Sequence, residues 1–91
     1  MKEQYFHIIG RPGCPYCTHA ANLLKERGLD YTSEIHERGA EELNEAKKRY
    51  SWKTVPIINH VKVNEDGTIV HRFVGGFSDL VAYLRGGSNV A

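Results

Sequence analysis

The sequence predicts an α/β fold in which a mixed four-stranded sheet carries helices on both faces. The first half of the chain alternates strand-like and helix-like segments, and a β-α-β unit pairs its strands in parallel through a right-handed crossover. In the second half, two strand-like segments flank a tight turn, and a hairpin pairs its strands antiparallel. The predicted order of elements is therefore β-α-β-α-β-β-α.

Seven segments follow from residue type and spacing. Clusters of β-branched and aromatic residues predict strands, and apolar residues at spacings of three or four predict helices. The predicted strands are residues 4–9, a strand within residues 29–37 centred on residues 31–35, residues 55–63 and residues 68–74. The predicted helices are residues 15–27, 40–50 and 77–85. Pro15 suits a first helical position, which needs no N–H donor, and Gly28 suits a helix end. Asp66-Gly67 is typical of a hairpin turn.

Length and composition indicate one ordinary globular domain. The chain has 91 residues, of which 41% are hydrophobic and 25% charged, a balance that does not favour disorder. The formal net charge of +1 gives no sign of binding to nucleic acid or to a membrane surface. No run approaches the roughly 18 apolar residues of a transmembrane helix, and the N-terminus lacks the apolar core of a signal peptide. We expect a cytoplasmic monomer with one domain over residues 1–91 and a frayed tail at residues 86–91.

The two cysteines of the chain, Cys14 and Cys17, lie three positions apart at a strand–loop–helix junction. Cys14 is predicted at the helix N-cap, where unpaired N–H groups and the helix dipole favour a thiolate. Cys17 lies one turn inward and is expected to be more shielded. Cys14 would therefore attack disulfides and Cys17 would resolve the mixed disulfide, with positive potential added by Arg11. The alternative is half of a zinc site, completed by His7, His19 or His36.

Together with two later segments, this pair resembles the glutaredoxin family of the thioredoxin superfamily. Cys14-Pro15-Tyr16-Cys17 matches the dithiol signature of the family. Residues 54–56 are similar to its Thr-Val-Pro loop, and residues 75–80 are similar to its Gly-Gly motif and the residues that follow. The resemblance spans residues 5–84 and implies a thioredoxin-like fold. It also implies a glutathione-disulfide oxidoreductase that serves electron transport and cell redox homeostasis.

The resemblance further implies a binding site for glutathione, the co-substrate. Pro56 would be a cis proline beside the redox pair, and the backbone of Val55 would pair with the cysteinyl part of the tripeptide. Arg11, assisted by Lys53, would meet the glycine carboxylate, and Asp79 would meet the α-ammonium group at the γ-glutamyl end. The full predicted binding set is Arg11, Tyr16, Lys53, Thr54, Val55, Pro56, Gly75, Gly76, Ser78 and Asp79. No metal is expected.

Some residues depart from the family pattern or have a second interpretation. Gly13 stands where the family more often has a threonine, so that position offers Cys14 no hydroxyl group. Residues 59–74 form a longer stretch than is usual, which would alter the rim of the site. Tyr16 either stacks on substrates or covers the helix start. Other positions were interpreted structurally: His19 as a solvated helix residue, Trp52 as core or groove wall, and Lys47, Lys48 and Arg49 as a solvated helix face.

Three functions are compatible with the sequence to different degrees. The first is a glutaredoxin acting on disulfide-containing or glutathionylated proteins; ribonucleotide reductase is a common target of the family, although no residue here selects it. The second is a thioredoxin-like reductant recharged by a flavin reductase, against which the Ser78–Asp79 pair argues. The third is an iron–sulfur carrier or zinc-binding module, which Pro15 disfavours because it stiffens the loop.

Overall fold

A computed structural model describes residues 3–86 of the chain. The strands are β1 (Gln4–Gly10), β2 (Tyr31–Ile35), β3 (Ile57–Val63) and β4 (Ile69–Gly75), and the helices are α1 (Pro15–Glu26), α2 (Glu41–Tyr50) and α3 (Phe77–Leu84). The predicted order of elements is confirmed. The third strand begins two residues later than predicted, because Pro56 lacks the N–H group that a strand ladder needs. Residues 86–91 are predicted to fray. Gly86 donates its N–H to the carbonyl of Tyr83, and residues 87–91 lie outside the described residues.

The four strands form one mixed sheet in the order β2-β1-β3-β4. The β1–β2 pair is parallel, and the β1–β3 and β3–β4 pairs are antiparallel. Ile9 near the end of β1 pairs with Ile57 at the start of β3, and Ile58 pairs with Gly75 at the end of β4. The loop after β1, the segment before β3 and the segment after β4 therefore meet at one end of the sheet.

Apolar residues cover both faces of the sheet. Because successive side chains of a strand point to opposite faces, Ile8 and Ile9 belong to different clusters. The first cluster joins the sheet to α1 and α3 and contains Phe6, Ile8, Ala20, Leu24, Ile58 and Leu80. The second joins it to α2 and contains Ile9, Leu43, Ala46 and Ile57. Each fully buried Leu or Ile contributes about 1.5–3 kcal/mol of transfer free energy to folding. Both clusters therefore stabilise the strand ends from which the converging loops leave.

A buried histidine, His60, links β3 to the last helix. Its Nδ1 lies 2.6 Å from the hydroxyl of Tyr83, its Nε2 lies 2.8 Å from Oε1 of Gln4, and its ring stacks on Phe6 at 4.4 Å. Burial, with smaller contributions from the charges of Lys62 and Arg72, lowers the pKa of His60 below its usual value. The unfolded chain therefore takes up this proton at a higher pH than the folded protein does.

This arrangement makes stability depend on pH. As the pH falls below about 6.5, the usual histidine value, the unfolded chain gains a proton that folded His60 does not yet accept, and the free energy of unfolding decreases. Urea unfolding at about pH 7.5 and pH 5.5 measures this loss. His60→Phe, which keeps the ring stack, should lose less stability over that range than the wild type. The exposed His71→Gln should behave as the wild type, and equal losses in all three proteins would contradict the assignment.

Candidate redox site and the groove beside it

The cysteine pair lies where β1 passes into α1. Cys14 is the N-cap residue of α1, and Pro15 occupies its first turn. The backbone N–H of Cys17 donates to the Cys14 sulfur at 3.2 Å, which is the bond that a Ser or Asp oxygen makes at an ordinary N-cap. The two cysteines are joined in a disulfide. When the disulfide is reduced, the same donor and the helix dipole favour a thiolate at Cys14.

The prediction that Cys17 is the more shielded residue is not borne out in the disulfide form, in which both cysteines are buried. Cys14 is 6% exposed and Cys17 is 8% exposed. The two positions differ in their neighbours instead. The helix N-terminus faces the Cys14 sulfur, whereas the Cys17 sulfur packs on Gly10, where an added Cβ would lie only 2.5 Å away. The two sulfurs therefore differ in hydrogen bonding and packing.

A groove of about 510 Å³ opens at the end of the sheet where the three segments meet. Nine of the ten predicted binding residues line it: Arg11, Tyr16, Lys53, Thr54, Val55, Pro56, Gly76, Ser78 and Asp79. The peptide bond between Val55 and Pro56 is cis, as the resemblance implied. Residues that are far apart in sequence are thus brought to one surface by the strand pairing. The tenth predicted residue, Gly75, does not line the groove.

Gly75 lies against the side chain of Asp79 and does not line the groove. Its φ of 122° lies in the region that L side chains rarely adopt, and an added Cβ would lie 2.6 Å from Oδ2 of Asp79. That same oxygen accepts the backbone N–H of Gly76 at 2.9 Å and so caps the start of α3. Gly75 therefore leaves the space in which the Asp79 carboxylate is held.

The groove carries more positive than negative charge. Its charged lining residues are three cations, Arg11, Lys47 and Lys53, and one anion, Asp79. Within residues 3–86, none of the three cations forms a salt bridge with an acidic side chain. The start of α3 adds backbone N–H groups, which favour an anion. The groove is thus suited to a ligand with more than one anionic group and one cationic group.

Comparison with known proteins identifies the fold and the family. The sequence model of the family described as Glutaredoxin matches residues 4–62. This chain belongs to the glutaredoxin family. A glutaredoxin of Vibrio cholerae is 30% identical over 82 residues, which cover 86% of this chain and 87% of that protein. Together with the cysteine pair, the family makes the protein a thiol–disulfide oxidoreductase.

Solved structures of glutaredoxins agree with this assignment. The solution structure from Brucella melitensis is 31% identical, has a TM-score of 0.67, and the match covers 98% of this chain and 87% of that one. The crystal structure of glutaredoxin 1 from Francisella tularensis, complexed with cacodylate, is 25% identical with a TM-score of 0.69, covering 94% and 98%. The predicted thioredoxin-like fold is confirmed. Across residues 3–86, no helix has both the length and the apolar character needed to cross a membrane.

Sequence reasoning did not assign Lys47 and Phe77 of this glutaredoxin to its groove. Lys47 is half-buried and lines the groove at the edge of the helix face that is predicted to be solvated, while Lys48 and Arg49 of that face are exposed. Trp52 is both core and groove wall, since its ring meets Phe73 edge-on at 5.3 Å and also lines the groove.

Tyr16 faces the groove from the start of α1, and its stacking on substrates stays a prediction. Its side chain is 58% exposed and lines the groove, while its ring stacks on Phe77 at 5.9 Å. His19 is exposed and meets the Tyr16 ring edge-on at 5.8 Å, in keeping with its interpretation as a solvated helix residue. An exposed ring therefore links the start of α1, two residues after Cys14, to the start of α3.

Two of the histidines considered as zinc ligands are bonded elsewhere. Nε2 of His7 lies 3.1 Å from one oxygen of Glu34, and Nε2 of His36 lies 2.6 Å from the other. These hydrogen bonds, His36 first, hold the pKa of Glu34 below its usual value. In the part of the chain that the structure describes, no three His, Cys, Asp or Glu residues are grouped so that they could hold a metal ion.

A second concavity, of about 310 Å³, is the one that both cysteines line, together with Gly13 and Ile35. Gly13 has a φ of 72°, which glycine adopts without steric cost, and this conformation accounts for glycine where the family more often has threonine. Arg11 lines both this recess and the groove, so the disulfide lies in a recess that adjoins the charged groove.

Proposed function

We propose that the protein is a glutathione-dependent oxidoreductase that reduces protein disulfides and glutathione mixed disulfides through Cys14 and Cys17. One observation carries the proposal: the charge pattern of the groove beside Cys14 matches that of glutathione. The tripeptide has two carboxylates and one ammonium group. A groove that binds it needs cations or free N–H groups at two places and an anion at a third.

The lining residues supply these groups. Arg11, assisted by Lys53, would bind the glycine carboxylate, and the N–H groups at the start of α3, together with Ser78, would bind the α-carboxylate of the γ-glutamyl end. Asp79 would bind the α-ammonium group. The backbone of Val55 would pair with the cysteinyl part of the peptide, as an added strand does. This arrangement would place the glutathione sulfur next to Cys14.

The mechanism for a glutathionylated protein uses Cys14 alone. Its thiolate attacks the glutathione sulfur of the mixed disulfide, a Cys14–glutathione bond forms, and the protein thiolate leaves and takes a proton. A second glutathione thiolate then attacks the glutathionyl sulfur. The products are oxidised glutathione and the Cys14 thiolate, which the N–H of Cys17 and the helix dipole stabilise as a leaving group.

The mechanism for a protein disulfide needs both cysteines. Cys14 attacks one sulfur of the partner and forms a mixed disulfide, and the other partner sulfur leaves as a thiolate. Cys17, as a thiolate, attacks the Cys14 sulfur and releases the partner's second thiolate. The product is the Cys14–Cys17 disulfide present in the structure, which two glutathione molecules reduce while forming oxidised glutathione.

The test is turnover of a small glutathionylated substrate in the presence of glutathione, NADPH and glutathione reductase. We expect turnover that requires all three components, and a single glutathionyl mass on Cys14 of Cys17→Ser after exposure to oxidised glutathione. Reduction supported by NADPH and a flavin-containing thioredoxin reductase, with no glutathionyl adduct, would contradict the proposal. Iron and visible absorbance in anaerobically purified protein would point to cluster carriage instead.

The proposed activity also bears on location and partners. It requires a pool of reduced glutathione, which the cytoplasm maintains, so we propose a cytoplasmic protein. Its partners would be glutathione and proteins that carry disulfides or glutathionyl groups. We propose further that residues 1–91 act as one domain and that the protein is a monomer.

Replacing Gly75 with alanine is expected to weaken both the fold and glutathione binding. The backbone strain at positive φ costs about 1–3 kcal/mol, and the added methyl group displaces the Asp79 carboxylate. Urea unfolding and the KM for glutathione measure the two effects. Gly67→Ala is the matched control, because Gly67 has a φ of 91° but no atom within 4 Å of an added Cβ. It should lose stability without a change in KM, and a Gly75→Ala protein with normal KM would contradict the role of Gly75.

A further inference from the structure

A second surface adjoins the groove at the end of α2. It is lined by Lys47, Lys48, Ser51, Trp52 and Lys53, has a volume of about 500 Å³, and is called the basic shelf here. Ser51, with a φ of 52°, reverses the chain after α2, and the N–H of Trp52 donates to the carbonyl of Lys47 at 2.9 Å. This turn folds a half-buried indole ring back against the lysines. The shelf thus combines an aromatic surface with three cations.

The shelf is continuous with the groove, because Lys47, Trp52 and Lys53 line both. Any substrate that reacts with Cys14 and is larger than the groove would extend over a neighbouring surface. The shelf is such a surface, and on the proposed function the larger molecule is the protein that carries the reacting sulfur. Its residues next to that sulfur would lie within reach of the lysines.

The positive charge of groove and shelf exceeds what glutathione requires. Four cations line the two surfaces, namely Arg11, Lys47, Lys48 and Lys53. The glycine carboxylate would be bound by Arg11 and Lys53, and the other carboxylate by the start of α3. No carboxylate of glutathione is then assigned to Lys47 or Lys48, and within residues 3–86 neither lysine forms a salt bridge. Unmatched charge at an exposed surface favours an oppositely charged partner and raises its association rate.

We propose that the basic shelf docks acidic residues that flank the reactive cysteine of a protein substrate. Their carboxylates lie against Lys47 and Lys48, and an apolar side chain of the same segment packs on the Trp52 ring. Trp, Arg and Tyr are the side chains that most often dominate binding energy at interfaces, so Trp52 is the expected anchor. The inference rests on the proposed function and adds to it the chemical class of the protein substrate.

The test compares two synthetic peptides, each glutathionylated at a single cysteine. One has Asp and Glu beside the cysteine, and the other has Asn and Gln at the same positions. The measured quantity is kcat/KM for deglutathionylation by the wild type and by Lys48→Glu. Lys48 is exposed and lines the shelf but not the groove. Arg49→Glu is the matched control, because Arg49 is exposed in the same helix turn, lines neither surface and undergoes the same change in charge.

The wild type should prefer the acidic peptide, and added salt should reduce that preference. Lys48→Glu should lower kcat/KM for the acidic peptide about fivefold, since it replaces an attraction with a repulsion, and should change the amide peptide by less than about twofold. Arg49→Glu should keep the preference. Equal effects of the two variants, or no preference in the wild type, would overturn the inference.

Two other outcomes separate the possible explanations. If the wild type fails to turn over even a small glutathionylated substrate, the proposed function itself is wrong. If Lys48→Glu raises the KM for glutathione equally with every substrate, the shelf binds the second glutathione molecule, and the docking of an acidic protein segment is overturned.

Discussion

Cys14→Ser is expected to abolish turnover with every substrate, whereas Cys17→Ser should lose only the reduction of protein disulfides. On the proposed mechanism Cys14 supplies the attacking sulfur at the start of α1, and serine is a far weaker nucleophile, so activity should fall by at least about three orders of magnitude. On the same mechanism Cys17 is needed only to resolve a mixed disulfide with a protein. Parallel assays with a glutathionylated peptide and with a disulfide-containing protein separate these two steps.

Each cysteine variant serves as the control for the other. Both remove one sulfur and the disulfide, so a loss of activity from reduced stability alone would appear in both proteins and with both substrates. Deglutathionylation by Cys14→Ser but not by Cys17→Ser would reverse the assigned roles. Loss of both reactions in both variants, with folded protein confirmed by unfolding, would mean that the disulfide itself is required.

The second large effect is expected at Asp79, which caps α3 and, on the proposed function, also binds glutathione. Its Oδ2 caps α3 by accepting the N–H of Gly76, and its charge would bind the ammonium group of glutathione. Asp79→Asn keeps an oxygen acceptor but removes the charge. The KM for glutathione should rise about 10- to 100-fold, the range expected when a charge-assisted hydrogen bond is lost.

Asp79→Ala removes both the helix cap and the charge, so comparing it with Asp79→Asn separates the structural role from the binding role. It should show the same rise in KM and, in addition, a loss of about 0.5–2 kcal/mol in the free energy of unfolding, because the helix cap is lost. Steady-state kinetics at varied glutathione concentration and urea unfolding measure the two quantities. A normal KM in Asp79→Asn would show that the carboxylate does not bind the tripeptide, whatever its effect on α3.

The sequence alone was sufficient for the fold because local signals and pairing agree. β-branched runs mark the strands, apolar spacing marks the helices, Pro15 marks the start of α1, and Asp66-Gly67 marks the hairpin turn. One β-α-β unit followed by a hairpin leaves few ways to build a sheet. The error at the start of β3 arose from Val55, whose residue type favours a strand. Pro56 has no N–H group for the strand ladder, so pairing begins at Ile57.

The site was less completely predictable because part of it is made by a turn without a sequence signal. Seven of the nine predicted residues that line the groove lie in three recognisable motifs, Arg11 and Lys53 lie near two of them, and the strand register brings the motifs together. Trp52 and Lys53 meet Lys47 after a turn in which Ser51 adopts a left-handed conformation, which is uncommon outside Gly, Asn and Asp. The relative shielding of the two cysteines was also not predictable, since it depends on whether the disulfide is closed.

The central claim is that Cys14 is held as a thiolate where α1 begins. Cys17→Ser contains a single thiol, so titration of its thiolate absorbance in the ultraviolet reports Cys14 alone. We expect a pKa well below the usual cysteine value of about 8.5, and below that of Cys17 measured in Cys14→Ser. A Cys14 pKa at or above the usual value would contradict the account, because neither the N–H of Cys17 nor the helix dipole would then stabilise the attacking sulfur.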